Sequence, residues 1–139
     1  MSSLDIEKAF IEFEEKVRYS ETDQMGIAHN KCYFEWFEIG RTEYCLKKEI
    51  PYREIEARGH YLVVVEAFCR YKKALRYDEK FIIRVSLKEL TPKKAVFGYE
   101  LMTKNERKPV ASGYTVHIAT DANSKVCPLP LDILEKLGT

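Results

Sequence analysis

The sequence predicts an α+β fold in which a curved antiparallel sheet of about five strands wraps around one long central helix. Three observations point there. Several stretches alternate apolar and polar residues with a period of two, the pattern of strands with one buried face. One stretch, opening near Asn30, repeats aromatic residues at helical spacing instead. The later strand-like stretches follow one another across short polar turns, which favours antiparallel pairing. A long apolar helix stripe has to be covered, and a single sheet is available to cover it.

In residues 10–19, Ile11, Phe13, Val17 and Tyr19 share one parity, and Glu12, Glu14, Lys16 and Arg18 the other. Glu15 breaks the apolar set, so pairing there is expected to be irregular or at an edge. A polar loop follows. Ser20, Thr22 and Asp23 favour turns, and Gly26 admits backbone angles closed to other residues. Asn30 is read as the N-cap of the helix and Lys31 as its opening residue. Tyr33, Trp36, Phe37, Gly40 and Tyr44 form the stripe. Gly40 costs this helix ~1 kcal/mol relative to Ala, which predicts close approach of another element. Glu38 is in reach of Arg41, and Glu43 of Lys47. Pro51 is expected to end the helix by displacing Ile50 from helical geometry.

Residues 51–60 read as a connection with one helical turn. The next strand has Tyr61, Val63, Val65, Ala67, Cys69 and Tyr71 on one parity, with Leu62, Val64 and Phe68 on the other, so its first half reads as buried on both faces. Phe81, Ile83, Val85 and Leu87 mark the third strand, Ala95, Phe97, Tyr99 and Leu101 the fourth, and Val110, Tyr114, Val116 and Ile118 the fifth. Thr91-Pro92 and the run from Asn105 to Lys108 supply the turns between them. Leu129–Leu137 reads as a short closing helix behind Pro128 and Pro130.

The 139 residues fit one domain, 1–139, and 45% hydrophobic residues with nine Tyr and seven Phe suffice for a sizeable core. A formal charge of +1 gives no electrostatic footprint for nucleic acid or an anionic membrane. No apolar run approaches a membrane span, and the N-terminus lacks the basic and apolar regions of a signal peptide, so a cytoplasmic protein without integral membrane association is expected. The four cysteines lack metal-ligand and redox spacing and read as free thiols. No metal constellation is visible among the three histidines either; His60 and His117 read as structural.

Chemistry concentrates between Tyr19 and Arg41. Asp23 stands in a loop just before the first turn of a helix, where backbone N–H groups have no internal partner and carry partial positive charge. Such amides can hold a developing oxyanion while a carboxylate acts on the same carbon. On local chemistry alone Asp23 better suits ordering the turn or capping the helix, and it is the spacing of the residues around it that favours the catalytic role. Cys32 lacks a fixed base and reads as a packed thiol.

The residues Thr22-Asp23, Gly26-Ile27, Tyr33, Phe37, Glu38 and Arg41 resemble the signature of the 4-hydroxybenzoyl-CoA thioesterase family of hotdog-fold proteins. Tyr71, the run Arg76-Tyr77-Asp78-Glu79, Ala111-Ser112-Gly113 and Pro128-Leu129-Pro130 extend the likeness over most of the chain. The resemblance implies a helix wrapped by an antiparallel sheet, assembled as a homodimer with a continuous sheet or as a dimer of dimers. It implies hydrolysis of acyl thioesters, usually of coenzyme A and sometimes of acyl carrier protein, with no cofactor beyond the coenzyme A of the substrate. The catalytic carboxylate maps to Asp23 as general base or nucleophile, and the oxyanion donor to the backbone N–H of Asn30 or its neighbour. His29, beside this donor, is a further candidate for the catalytic site or for substrate contact, with a structural or solvent-facing role as the alternative; His29-Asn30 replaces the aromatic-His or aromatic-Tyr pair of close relatives. Gly26, Ile27, Tyr33 and Glu38 become candidates for substrate contact, and Lys93 and Lys94 for the coenzyme A phosphates. Two other readings stay open: an acyl-carrier-protein thioesterase, and a non-catalytic acyl-CoA binder. A dehydratase of the same fold is disfavoured by the position of His29.

Overall fold

The computed structural model describes residues 10–139. Its elements run β1 (Phe10–Lys16), α1 (Asn30–Lys47), α2 (Tyr52–Ala57), β2 (Tyr61–Tyr71), β3 (Lys80–Thr91), β4 (Lys94–Thr103), β5 (Pro109–Thr120) and α3 (Leu131–Gly138). The five strands form one sheet in the order β1-β3-β4-β5-β2, with every pair antiparallel. This is the hotdog arrangement, a curved sheet around a long helix. No helix among the described residues is long and apolar enough to cross a membrane.

The stripe on α1 meets the concave face of the sheet as its spacing predicts. Tyr33, Trp36, Phe37, Gly40 and Tyr44 are all buried. Phe37 stacks on Tyr99 with centroids 4.2 Å apart, and Trp36 tilts onto Phe81 at 4.6 Å. Gly40 is where the helix comes nearest the sheet: a Cβ there would stand 2.6 Å from Val85 Cγ2. That contact explains a glycine in a helix interior. Tyr44 donates a hydrogen bond to the Leu137 carbonyl at 2.8 Å and ties α1 to α3.

Several local expectations need correction. The helix stops at Lys47, short of Pro51. Glu49 adopts φ +61°, while the Ile50 N–H donates to the Cys45 carbonyl and the Glu49 N–H to the Leu46 carbonyl. These are the two reversed bonds of a Schellman ending, with Ile50 buried behind it. Asn30 is not the N-cap. His29 takes that place in extended geometry without a side-chain cap, and Asn30 is the first helical residue. Arg41 does not pair with Glu38; its Nη1 turns inward and donates to Tyr99 Oη at 3.2 Å. Glu43 and Lys47 form no ion pair among those found in the described residues.

β1 ends at Lys16 because a capped 3₁₀ turn, Tyr19–Glu21, takes over. Tyr19 is therefore 77% exposed rather than buried. In β2 the strict alternation fails at a bulge between Val64 and Glu66. The extra residue, Val65, swaps the faces, so Val64 and Ala67 both lie on the helix side although their parities differ. In the single chain Val63, Val64 and Val65 are 42–58% exposed on an edge strand, not buried on both faces.

Between α1 and the sheet's concave face runs a chain of largely buried polar groups. Arg41 donates to Tyr99 Oη; Tyr99 and Thr115 hydroxyls are 2.7 Å apart; Thr115 Oγ1 lies 2.8 Å from His117 Nε2; and His117 Nδ1 lies 3.2 Å from the Leu62 carbonyl. A carbonyl only accepts, so Nδ1 carries the proton, and in the neutral ring Nε2 accepts. The Thr115 hydroxyl then donates to His117, and the Tyr99 hydroxyl to Thr115. With the ring neutral, the order of donors along the row follows from its two ends.

Candidate active site

The segment before α1 is a tight, internally bonded loop. Asp23 Oδ1 accepts the Met25 N–H at 2.8 Å and the Ile27 N–H at 3.2 Å. The Asp23 N–H donates to the Ile27 carbonyl and the Gly26 N–H to the Asp23 carbonyl. Gly26 sits at φ +75°, a region costly for a residue with a Cβ. The turn-ordering role available to Asp23 is therefore filled, by one of its two carboxylate oxygens.

The loop then clamps onto the start of α1. Ala28 N–H donates to the Leu75 carbonyl, and His29 N–H to the Glu21 carbonyl. Cys32 N–H turns back to the His29 carbonyl. The amides of Asn30 and Lys31 have no partner among the described residues. They are the positive end of an 18-residue helix. A groove of about 240 Å³ opens there, lined by Ile27, Ala28, Asn30, Tyr33, Tyr71 and Lys72 with their neighbours Lys73 and Ala74. Tyr71 Oη donates to the Asn30 carbonyl at 3.3 Å, and the Tyr71 ring meets Tyr33 edge-on with centroids 4.8 Å apart.

Of the residues expected at a site, Ile27, Asn30 and Tyr33 line this groove, while Asp23, Gly26 and His29 stand on the loop beside it. Asp23 and His29 are exposed. Tyr33 is almost fully buried, and burial pushes its hydroxyl up to about 12, so it stays a neutral wall. Glu38 lies two turns along α1 on its exposed side. Lys93 and Lys94 are not brought to the groove within one chain. Lys94 aligns with Ile118, and Ile118 with Val63, which is about 26 Å along β2 from Tyr71. Lys94 is also paired with Glu89 at 3.0 Å.

Cys32 is buried. Burial, with the Glu21 carboxylate nearby, pushes its thiol up, the wrong direction for a nucleophile. Glu21, Cys32 and Glu35 offer ligand atoms within 4.8 Å of one another, a grouping that sequence spacing conceals because the loop folds back onto the helix. The Glu21 oxygens, however, already accept the Trp36 indole N–H at 2.9 Å and the Arg18 N–H at 2.7 Å. Tyr71, Lys72 and Lys73 also line the groove, although the sequence does not mark them as candidates for it. Tyr71 falls within the family likeness, and the two lysines carry only the signal of a basic pair directly after an apolar strand.

The sequence profile of the thioesterase-like superfamily matches residues 17–137. The chain belongs to this superfamily. An Aquifex aeolicus protein provisionally named an esterase is 34% identical over 125 residues, spanning 90% of this chain and 95% of its own. The crystal structure of a hypothetical protein from Aquifex aeolicus superposes with a TM-score of 0.85 at 34% identity, covering 91% of this chain and 98% of that one. A DHNA-CoA thioesterase from Staphylococcus aureus superposes with a TM-score of 0.81 at 27% identity over 86% of this chain and 80% of its own. A 4-hydroxybenzoyl CoA thioesterase superposes at 0.82 with 18% identity over 94% of this chain and 99% of that one, a likeness of fold alone. For this member of the thioesterase-like superfamily, the comparisons support thioester hydrolysis as the general chemistry.

Proposed function

We propose that the protein hydrolyses acyl-CoA thioesters to the free acid and coenzyme A. The observation that carries the reading is the pair of unpartnered amides, Asn30 and Lys31, opening on a groove beside the Asp23 loop. The thioester oxygen accepts from these amides as negative charge builds on it; one such donor is worth ~3 kcal/mol of barrier. Asp23 either takes a proton from the attacking water or attacks the carbonyl carbon itself to give an anhydride that water then opens. In both routes the C–S bond breaks, and the thiolate leaves and is protonated by solvent. Its acidity removes the need for a strong general acid. The Tyr33 and Tyr71 rings supply the apolar wall for the acyl group, with Gly26 and Ile27 shaping the loop side.

The reading includes a homodimer joined along β2. The other edge strand, β1, carries acidic residues tied down by cations, as Glu12 by Arg84 and Arg107 and Glu14 by Lys104. β2 instead offers exposed Val63, Val64 and Val65 beside an unpaired backbone edge. Antiparallel β2–β2 pairing about a two-fold brings the Val63 end of one copy level with the Tyr71 end of the other. Lys93 and Lys94 of the partner then come level with this groove, roughly 14 Å to its side across three strand spacings. That span suits coenzyme A phosphates rather than the thioester.

Thiol release from a panel of acyl-CoA substrates tests the activity. Asp23→Asn keeps an oxygen for the Met25 and Ile27 amides but removes the negative charge. Turnover should fall by ~10²–10⁴-fold with the melting temperature unchanged. Wild-type rates in the variant would eliminate Asp23 from the chemistry. No release from any substrate by the wild-type protein would leave only acyl-CoA binding.

A further inference from the structure

We propose that the rim of the groove is a docking surface for an anionic lipid bilayer, on which the protein sits peripherally with the start of α1 toward the headgroups. The proposal goes beyond the thioesterase reading and stands without it. Two short segments lying side by side, 25–28 and 75–77, make the rim. Ala28 N–H donates to the Leu75 carbonyl, Tyr77 N–H donates to the Gly26 carbonyl, and Ile27 bridges to Arg76. Three large side chains stand in water here: Tyr19, Met25 and Tyr77 are 77%, 76% and 55% exposed. The Tyr19 and Tyr77 rings meet edge-on at 5.5 Å, and Met25 adjoins the Gly26 that Tyr77 bonds, so the three form one patch. Neighbouring aromatic and Met side chains left exposed beside a groove mark an association site.

Cations accompany the patch. Segments 22–28 and 72–77 carry Lys72, Lys73 and Arg76 against a single acid, Asp23. The first turns of α1 add Lys31 and Glu35. None of these four cations enters an ion pair found among the described residues. Acids that flank the rim are engaged instead. Glu21 accepts the Trp36 indole N–H and the Arg18 N–H, Asp78 pairs with Lys16 at 3.3 Å, and Glu79 accepts the Arg76 N–H at 3.1 Å. A formal charge of +1 averages this cluster away, but a charged surface acts over a Debye length of about 8–10 Å, not over the whole chain. A nearly neutral protein can therefore carry a local footprint that its total hides.

The combination fits a headgroup layer. Tyr places its ring at the acyl boundary and its hydroxyl in water, while Lys and Arg bury their stems and hold their charges at the phosphates. Each such cation adds to the attraction of an anionic leaflet. A specific protein partner covers about 800 Å² a side around a packed centre, which three side-chain tips on separate loops do not supply. Nucleic acid is poorly served by one short basic run. No helix among the described residues can cross a bilayer, so the contact is with its surface. Such contact turns the groove mouth, with Lys72 and Lys73 in its wall, toward the lipid, where amphiphilic acyl compounds concentrate.

The test is co-sedimentation of the full chain, without substrate, with vesicles of phosphatidylcholine alone and of phosphatidylcholine containing roughly a third phosphatidylglycerol. The wild type should bind the anionic vesicles ~10-fold or more tightly than the neutral ones, and added salt should remove most of that difference. M25S/Y77S probes the apolar patch and R76E the charge; unchanged melting temperatures show that both are folded. Each should weaken binding to anionic vesicles by ~5–10-fold. Hydrogen exchange on the wild type needs no variant: anionic vesicles should protect amides in 23–28 and 72–79. No binding to either vesicle overturns the proposal outright, and equal binding to both removes the anionic surface. Variants that bind like the wild type, or protection confined to other segments, overturn this rim as the contact. Tighter binding to soluble polyglutamate than to the vesicles overturns it in favour of an acidic protein face. Thiol release enters none of these readouts, so a protein that hydrolyses no acyl-CoA can still dock, and one that never docks can still hydrolyse.

Discussion

Acid should unfold this protein through His117. The ring is 1% exposed, and burial with Arg41 nearby holds its pKa down from 6.5 to about 4. A depressed folded pKa means that between about pH 6.5 and 4 the unfolded chain binds a proton that the native ring refuses. Stability from this group is therefore complete above pH 6.5 and falls as pH drops toward 4. At ~1.4 kcal/mol per pH unit the loss reaches ~3 kcal/mol, a large share of a typical 5–15 kcal/mol. His117→Gln is the control, because Gln offers one donor toward Leu62 and one acceptor toward Thr115 without titrating. Urea unfolding of both proteins from about pH 7 to pH 4 isolates the term. Wild type should lose ~3 kcal/mol more than the variant, roughly 1–2 M in midpoint. Parallel pH profiles, or an imidazole titrating near 6.5 by NMR, would refute the assignment.

Gly40→Ala gains ~1 kcal/mol of helix propensity but drives a methyl to 2.6 Å from Val85, so thermal unfolding should show a net loss of ~1–3 kcal/mol. Pairing it with Val85→Ala should recover part of that loss, and strict additivity would contradict the contact. Glu49→Gly relieves the φ +61° strain of the Schellman ending and should stabilise by ~1 kcal/mol in denaturant melts; destabilisation would mean that the cap is drawn wrongly. Asp23→Ala removes the acceptor of two loop amides and should cost ~1–3 kcal/mol of stability that Asp23→Asn does not. Val64→Lys on the exposed edge of β2 should turn a dimer into monomers by sedimentation equilibrium, and an unshifted mass would move the interface elsewhere.

The fold was legible because its signals are periodic. The stripe Tyr33, Trp36, Phe37, Gly40 and Tyr44 reports the buried helix face directly, and the missing side chain of Gly40 foretold the contact with Val85. The misses share a cause, which is that one residue out of period is invisible to a pattern. Val65 inserts a bulge and exchanges the faces of β2 halfway along. Glu49 ends α1 through a left-handed turn that its residue type does not advertise. The capping of the 3₁₀ turn by Glu21, with Tyr19 left in solvent, requires knowing that the Arg18 N–H turns to the Glu21 carboxylate rather than to a neighbouring strand. At the site, the loop chemistry around Asp23 and Gly26 was readable. Lys72 and Lys73 were not, since their relevance comes from β2 ending beside the start of α1, a tertiary fact.

On the proposed mechanism Asp23 serves two ends. Its Oδ1 accepts two amides and so holds the loop that delivers Ala28 and His29 to the helix start. Those bonds also fix the plane of the carboxylate, which leaves Oδ2 with a defined direction and no protein donor among the described residues. A carboxylate with both oxygens bonded would be a poor base; one with neither bonded would swing freely and lose the orientation on which proximity depends. The structural role of Asp23 and the reactive role proposed for it are therefore compatible. The two substitutions separate them, because Ala removes both oxygens, whereas Asn keeps the bonded one and discharges the other.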